Sequence, residues 1–256
     1  MIHPSAIVAD SARIADDVEI GPYTLIGDEV EIAAGCRIGG HVVINGPTRI
    51  GSDNRIYQFA SIGDDPQDKK YAGEATRLEI GRGNTIREFV TISRGTVQDE
   101  GVTVIGDDNW IMAYVHIAHD CRIGSHTVLA NNATVAGHVH VGDHVIMGGF
   151  SGAHQFCRIG PHAFLAMYSG IGQDVPAYTM AAGQPAVPRG INVEGLKRRG
   201  FTPEQLRNIK NAYRVLYRQG LKLADAVAEL ERLAASQPEI GPLLDSVRAS
   251  DRGIVR

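Results

Sequence analysis

Ten histidines are spread along this 256-residue chain. An imidazole titrates near neutrality, so it can take a proton from a hydroxyl, and its ring nitrogens are also good zinc ligands. In VHIAHDC (115–121) His119 is followed at once by Asp120, an acid able to orient or support it. Neighbours on an extended strand point to opposite sides, so contact between the two requires a turn at that place. Counting eighteen residues on from His119 reaches Gly137, and eighteen more reaches Gln155. The same count carries Asp120 to His138, and twice that count carries Ala118 to His154. A glycine at 137 leaves a backbone N–H open to a reacting group, although glycine also suits a tight turn. A base and an unshielded N–H are what attack on a carbonyl requires, provided the fold brings them together.

The count of eighteen matters because the chain beats every six residues. Ile2, Val8, Ile14, Ile20 and Ile26 open a series that runs to Ile62, returns at Ile80, Ile86 and Ile92, and continues from Ile105 to Ile171. Of its twenty-six positions only Met147 and Ala153 are not Ile, Leu or Val. A period of six fits neither a helix nor an alternating strand, but it is the mark of a coiled β-solenoid. With three flat sides per coil, residues eighteen apart stack at the strand spacing, and about nine coils make a prism roughly 40 Å tall. Cys36, Cys121 and Cys157 each fall four residues after a beat, a phase shared with Thr24, Ala133 and Ser169. They read as small packing residues, with no metal spacing and no secreted disulfide framework. The N-terminus lacks a basic, apolar leader, and no stretch is long enough to span a membrane, so a cytoplasmic, soluble protein is expected.

Two stretches break the beat, 63–79 and 93–104, and loops of that length in a repeat protein are more often functional than idle. After about residue 178 the period disappears, dividing the chain into a solenoid (1–178) and a helical part (179–256). Thr202-Pro203-Glu204 predicts a helix start, with apolar residues at helical spacing to Tyr217 and Gly220 as the stop. A second helix is predicted over 223–235 and a third around Leu243, Leu244 and Val247, together capping the open end of the coil. Arg207, Lys210, Arg214 and Arg218 form a basic stripe on the first of these helices. The stripe suits either a solvated face or a dock for an acidic partner.

Five segments go beyond a generic repeat: NRIYQFASIGDDPQDKKYAGE (54–74), VHIAHDC, LANNATVAGHVHV (129–141), GAHQFC (152–157) and NVEGLKRRGF (192–201). With the length and the helical tail, they resemble the UDP-N-acetylglucosamine O-acyltransferase family of lipid A biosynthesis over essentially the whole chain. The resemblance implies a left-handed parallel β-helix with a C-terminal helical domain, assembled as a homotrimer with active sites in clefts. It implies transfer of an (R)-3-hydroxyacyl chain from acyl carrier protein to the 3-hydroxyl of UDP-N-acetylglucosamine. No metal, no other cofactor, no nucleic-acid partner and no integral membrane association are expected. By residue matching, His119 is the general base, Asp120 its support and Gly137 the oxyanion donor. His116 and His138 flank sugar and acyl chain, and His154 and Gln155 lie further along the groove. Asp68 and Lys70 approach the glucosamine and phosphate, while Asn192, Glu194, Arg198 and Arg199 approach the uridine and diphosphate. Met167 stands where the acyl chain ends and should shorten it, and the basic stripe docks the carrier protein. Ser93 departs from the histidine common at that position, which puts any role for it in doubt. Three other readings compete: a γ-class carbonic anhydrase-like zinc enzyme, a purely structural solenoid that binds a partner on its flat faces, and an acetyl-CoA-dependent sugar acetyltransferase.

Overall fold

The computed structural model describes residues 1–256 and shows a three-sided parallel β-helix closed at one end by helices. The first face stacks nine strands, beginning at Ile7–Val8 and ending at Gly170–Ile171. The second stacks eight, from Arg13–Ile14 to Arg158–Ile159, and the third begins at Glu19–Ile20 and stacks ten. Register follows the eighteen-residue count, for example His116 against Thr134 and Thr134 against Gly152. The beat residues fill the interior: Ile44, Ile62, Ile86, Ile111, Ile117 and Leu129 are among the fully buried side chains. Each contributes about 1.5–3 kcal/mol of burial. The small phase four residues later is inside as well. Cys36, Cys121 and Cys157 are buried and unpaired, and burial pushes the Cys121 thiol up to about 12.

The corners turn through a residue in the left-handed backbone region, and many of these are not glycine. Asp120, His138 and Phe156 have φ of 59°, 61° and 66°. Such a conformation is uncommon outside glycine. Here stacking one coil on the next holds it in place, since most such residues donate their N–H to the coil below, as His138 does to the His119 carbonyl at 3.0 Å.

The sheet runs on beyond the end of the periodic sequence. Thr179–Ala182 pairs in parallel with Phe164–Leu165, and Val187–Ile191 returns antiparallel to it, so the third face ends in a hairpin. Helices follow: α1 (Val193–Arg198), α2 (Pro203–Tyr217), α3 (Leu223–Ala234) and α4 (Gly241–Arg248). The short α1 had no signature in the periodicity. At the start of α2, Thr202 and Gln205 cap each other's backbone in a reciprocal box. Leu196, Ile209, Leu216, Leu230 and Leu244 pack with Ala177 and Tyr178, which seats the helices on the last coil. The final residues lie along the upper rim of the second face, where Asp174 and Val255 exchange backbone bonds with their neighbours, so that edge is covered.

Candidate active site

Both excursions leave the prism at the same corner. The first connects Ser61–Asp64 on the first face to Arg77–Ile80 on the second, and the next coil's excursion connects Thr91–Ser93 to Val102–Ile105. They are stapled together by Arg94, which is buried and donates to the Gly63 carbonyl at 2.7 Å and the Tyr71 hydroxyl at 3.0 Å, and pairs with Asp65. The following coil places Ala118–Cys121 at this corner. Because Ile117 and Cys121 are fully buried on either side, His119 and Asp120 sit in the turn between them.

The turn allows the contact that a straight strand would forbid. His119 Nδ1 lies 2.8 Å from Asp120 Oδ2. A carboxylate can only accept, so Nδ1 carries the proton and Nε2 is left as the free lone pair. Asp120 is itself held from behind by Thr96, whose amide donates at 2.8 Å and whose hydroxyl donates at 2.6 Å, while the Asp120 amide donates to Thr103 Oγ1 at 2.8 Å. Burial alone would push this carboxyl up, but the hydrogen bonds from His119 and Thr96 outweigh it and hold it below the usual carboxylate range. The acid therefore stays ionised behind the imidazole at neutral pH.

Gly137 lies directly over the His119 ring. A Cβ built on it would fall 2.6 Å from Cε1 and 2.8 Å from Nε2. The absence of a side chain is thus a requirement of the imidazole beneath, over and above any need of the turn. One cleft of about 690 Å³ is lined by Asp68, Lys70, Asp99, His119, His138 and Gln155. His116 is partly buried one strand away, bonded to Thr91 Oγ1 at 2.8 Å, and burial with His119 beside it holds its ring below the ordinary histidine value. His154 is exposed, turned to the Gln155 carbonyl, and outside the lining.

The tail residues lie elsewhere. Asn192, Glu194, Arg198 and Arg199 line a second pocket of about 530 Å³ with His144 and His162, at the corner between the second and third faces. Asn192 commits its amide to structure, accepting from the Gly195 N–H and donating to the His162 carbonyl. Burial, with His144 and Arg199 adding repulsion, holds His162 down to about 4. Met167 is 61 % exposed at a third corner. Arg207, Lys210, Arg214 and Arg218 are all exposed on or just past α2. Within one chain two pockets therefore hold most of the expected substrate-binding residues, while His116, His154, Met167 and the basic stripe line neither.

Several residues of the cleft escaped the sequence reading. Phe156 stacks on His138 with centroids 4.5 Å apart, and its position eighteen residues further on was a usable signal. Thr96 and Asp99 carried none, because they sit in an excursion where the count fails. For the zinc reading, His119, Asp120 and His138 do bring ligand-capable atoms within 4.8 Å of one another. The His119 nitrogen, however, points at a carboxylate already engaged by Thr96, which is a hydrogen-bonded dyad rather than lone pairs converging on one point.

A three-sided parallel coil with a histidine–acid dyad at a corner defines a hexapeptide-repeat transferase, and residues 11–46 and 103–137 match the bacterial transferase hexapeptide family. Residues 174–255 match the second domain of UDP-N-acetylglucosamine O-acyltransferases. The acyl-[acyl-carrier-protein]–UDP-N-acetylglucosamine O-acyltransferase of Thiobacillus denitrificans is 60% identical, over all of this chain and 99% of its own length. The structure of the UDP-N-acetylglucosamine O-acyltransferase of Moraxella catarrhalis superposes with a TM-score of 0.98 at 51% identity, covering 100% of this chain and 99% of that one. The Arabidopsis UDP-N-acetylglucosamine acyltransferase does so at 0.89 and 38% identity, with both chains fully covered. The chain belongs to the UDP-N-acetylglucosamine O-acyltransferase family, and its coil is the left-handed β-helix of that family.

Proposed function

We propose that this acyltransferase moves an (R)-3-hydroxyacyl group from acyl carrier protein to the 3-hydroxyl of UDP-N-acetylglucosamine, the first step of lipid A biosynthesis, in the cytoplasm. The observation that carries the mechanism is the His119–Asp120 dyad set beneath the bare Gly137 amide in a cleft walled by both excursions. His119 Nε2 takes the proton from the sugar hydroxyl, whose oxygen attacks the thioester carbonyl. The Gly137 N–H faces the oxyanion of the tetrahedral intermediate. Collapse breaks the carbon–sulfur bond, and the departing carrier thiolate recovers the proton from His119. Asp120 holds the ring and stabilises its charge in between. Asp68, Lys70, His116, His138 and Gln155 line the sugar and acyl path, with His154 at its margin. Glu194, Arg198 and Arg199 offer the nucleotide a carboxylate and two guanidinium forks, which suit diphosphate oxygens.

The two pockets lie at different corners, which supports a homotrimer in which the His119 cleft of one subunit faces the arginine pocket of the next. Assay of the chain with hydroxyacyl carrier proteins of graded length and UDP-N-acetylglucosamine, with and without chelator, tests the reaction. His119→Ala should lose roughly 10²–10⁴-fold in rate. A fully active His119→Ala enzyme overturns the mechanism, and activity removed by chelator and restored by zinc turns the reading to a metal enzyme. For the assembly, His119→Ala chains are co-refolded in equal amounts with chains carrying Arg198→Ala and Arg199→Ala. Random cyclic trimers would regain activity at about a quarter of their sites. No regain places both half-sites in one subunit.

A further inference from the structure

Asp99, near the tip of the second excursion, is a member of the cleft for which the reaction above has no role. Its Oδ2 lies 3.0 Å from His138 Nδ1, while its Oδ1 accepts the Glu100 amide at 2.9 Å. The carboxylate is therefore fixed from behind while it fixes the ring. His138 is held on two further sides: it stacks on Phe156 at 11° between planes, and its edge meets the His119 ring at 89° with centroids 5.1 Å apart. Since the carboxylate can only accept, His138 Nδ1 carries a proton. Its Nε2 is turned toward the dyad, 3.7 Å from Asp120 Oδ2.

We propose that Asp99 is a positioning residue for acyl transfer, which locks the His138 ring with Nε2 presented to the reacting groups. This deepens the reading of the His119 cleft as the acyl-transfer centre and rests on it. A purely architectural role for Asp99 fits poorly. Its side chain is 42% exposed. The excursion is already anchored by Thr96 on Asp120, by Arg94 on the first excursion, and by the pairing of Val102–Ile105 with Arg77–Ile80. The loop keeps its shape without Asp99, whereas the His138 ring loses its only partner for Nδ1.

The test is a double-mutant cycle of Asp99→Ala and His138→Ala, read as kcat and as KM for the sugar nucleotide, with Asp99→Asn as the conservative variant. Asp99→Ala should lower kcat about tenfold with an unchanged melting temperature, in line with loss of one partly exposed charge-assisted hydrogen bond. Asp99→Asn should recover part of that loss, because its amide oxygen can still accept from Nδ1. In the His138→Ala background Asp99→Ala should have no further effect, since the ring it positions is gone. An equal tenfold loss in that background, or wild-type kcat in Asp99→Ala, overturns the proposal. His119→Ala run in parallel separates the two levels: if it abolishes activity while the cycle is additive, only the role of Asp99 fails. If it is fully active, the acyl-transfer reading fails with it.

Discussion

Gly137→Ala adds one methyl group at the place where the geometry leaves least room. The new Cβ would lie 2.6 Å from His119 Cε1, 2.8 Å from Nε2 and 3.2 Å from Nδ1. Ordinary contacts between such atoms begin near about 3.5 Å, so the ring must retreat by roughly 0.8 Å. The retreat cannot be shared with the backbone, because the His138 amide below and the Phe156 amide above tie this corner into the ladder at 3.0 and 3.1 Å. It must come from the imidazole, which then either lengthens its 2.8 Å bond to Asp120 or turns Nε2 away from the sugar hydroxyl. A displacement of that size at a reacting group costs about 100-fold in rate. The fold should hardly notice, since the new methyl group meets only the imidazole at close range and the Gly137 backbone, which is not left-handed, admits alanine. Steady-state rates with hydroxyacyl carrier protein, beside a thermal melt, separate the effects. An enzyme that keeps a third or more of its kcat with an unchanged melt would show that His119 does not need the space under Gly137, and the dyad would lose its claim to the chemistry.

Other perturbations address the remaining parts. Met167→Gly should shift the preferred acyl chain longer, each added methylene gaining about 0.8 kcal/mol of burial or roughly fourfold in selectivity, measured by competition between carrier-bound chains. Unaltered chain preference would make Met167 an idle surface residue. Arg214→Glu with Arg218→Glu should raise KM for the acyl carrier protein and flatten its salt dependence while kcat holds. The same KM at every ionic strength leaves the stripe merely solvated. For pH, the His162 ring has a folded-state value of about 4 against about 6.5 in an unfolded chain. Between those values the unfolded chain binds more protons, so stability is complete above about pH 6.5 and is lost as pH falls toward 4. With a discount for the ring's partial exposure, melts should show a loss of about 1–2 kcal/mol between pH 7 and pH 5. His162→Asn, which tolerates the positive φ of 61° at that corner, should flatten that slope.

The legible part of the molecule was the part governed by the count of six. Isoleucine at every sixth place fixed three faces, an eighteen-residue register and hence the stacking of Gly137 over His119, since a parallel coil leaves each side chain a single neighbour above and below. Helical spacing and the Thr202 cap were equally local, and α2 begins where they put it. The hairpin at 179–191 was not visible, because its short strands carry neither period and are ordered by pairing, the first with Phe164–Leu165 and the second with the first. Thr96 and Asp99 were invisible for a related reason. Their partners lie 24 and 39 residues away through an irregular loop, where no offset predicts a contact.

The division of the site between corners follows from the same lattice. A prism of this kind is rigid along its axis, with turn residues such as His119 and Gln155 projecting from a corner off the core. A corner can therefore gather groups vertically, as it gathers His119, Gly137 and Gln155, but it cannot reach round to another corner. Chemistry that needs a base on one side and cationic anchors on the other must be completed by something outside the chain's own coil. The excursions supply one such wall, bringing Asp68, Lys70 and Asp99 over the dyad. The arginines beside α1 have no such route, because the second face stands between them and His119. This is the physical ground for the trimer proposed above: a straight solenoid whose half-sites lie at two corners would gain a closed active site if a second copy lay alongside it.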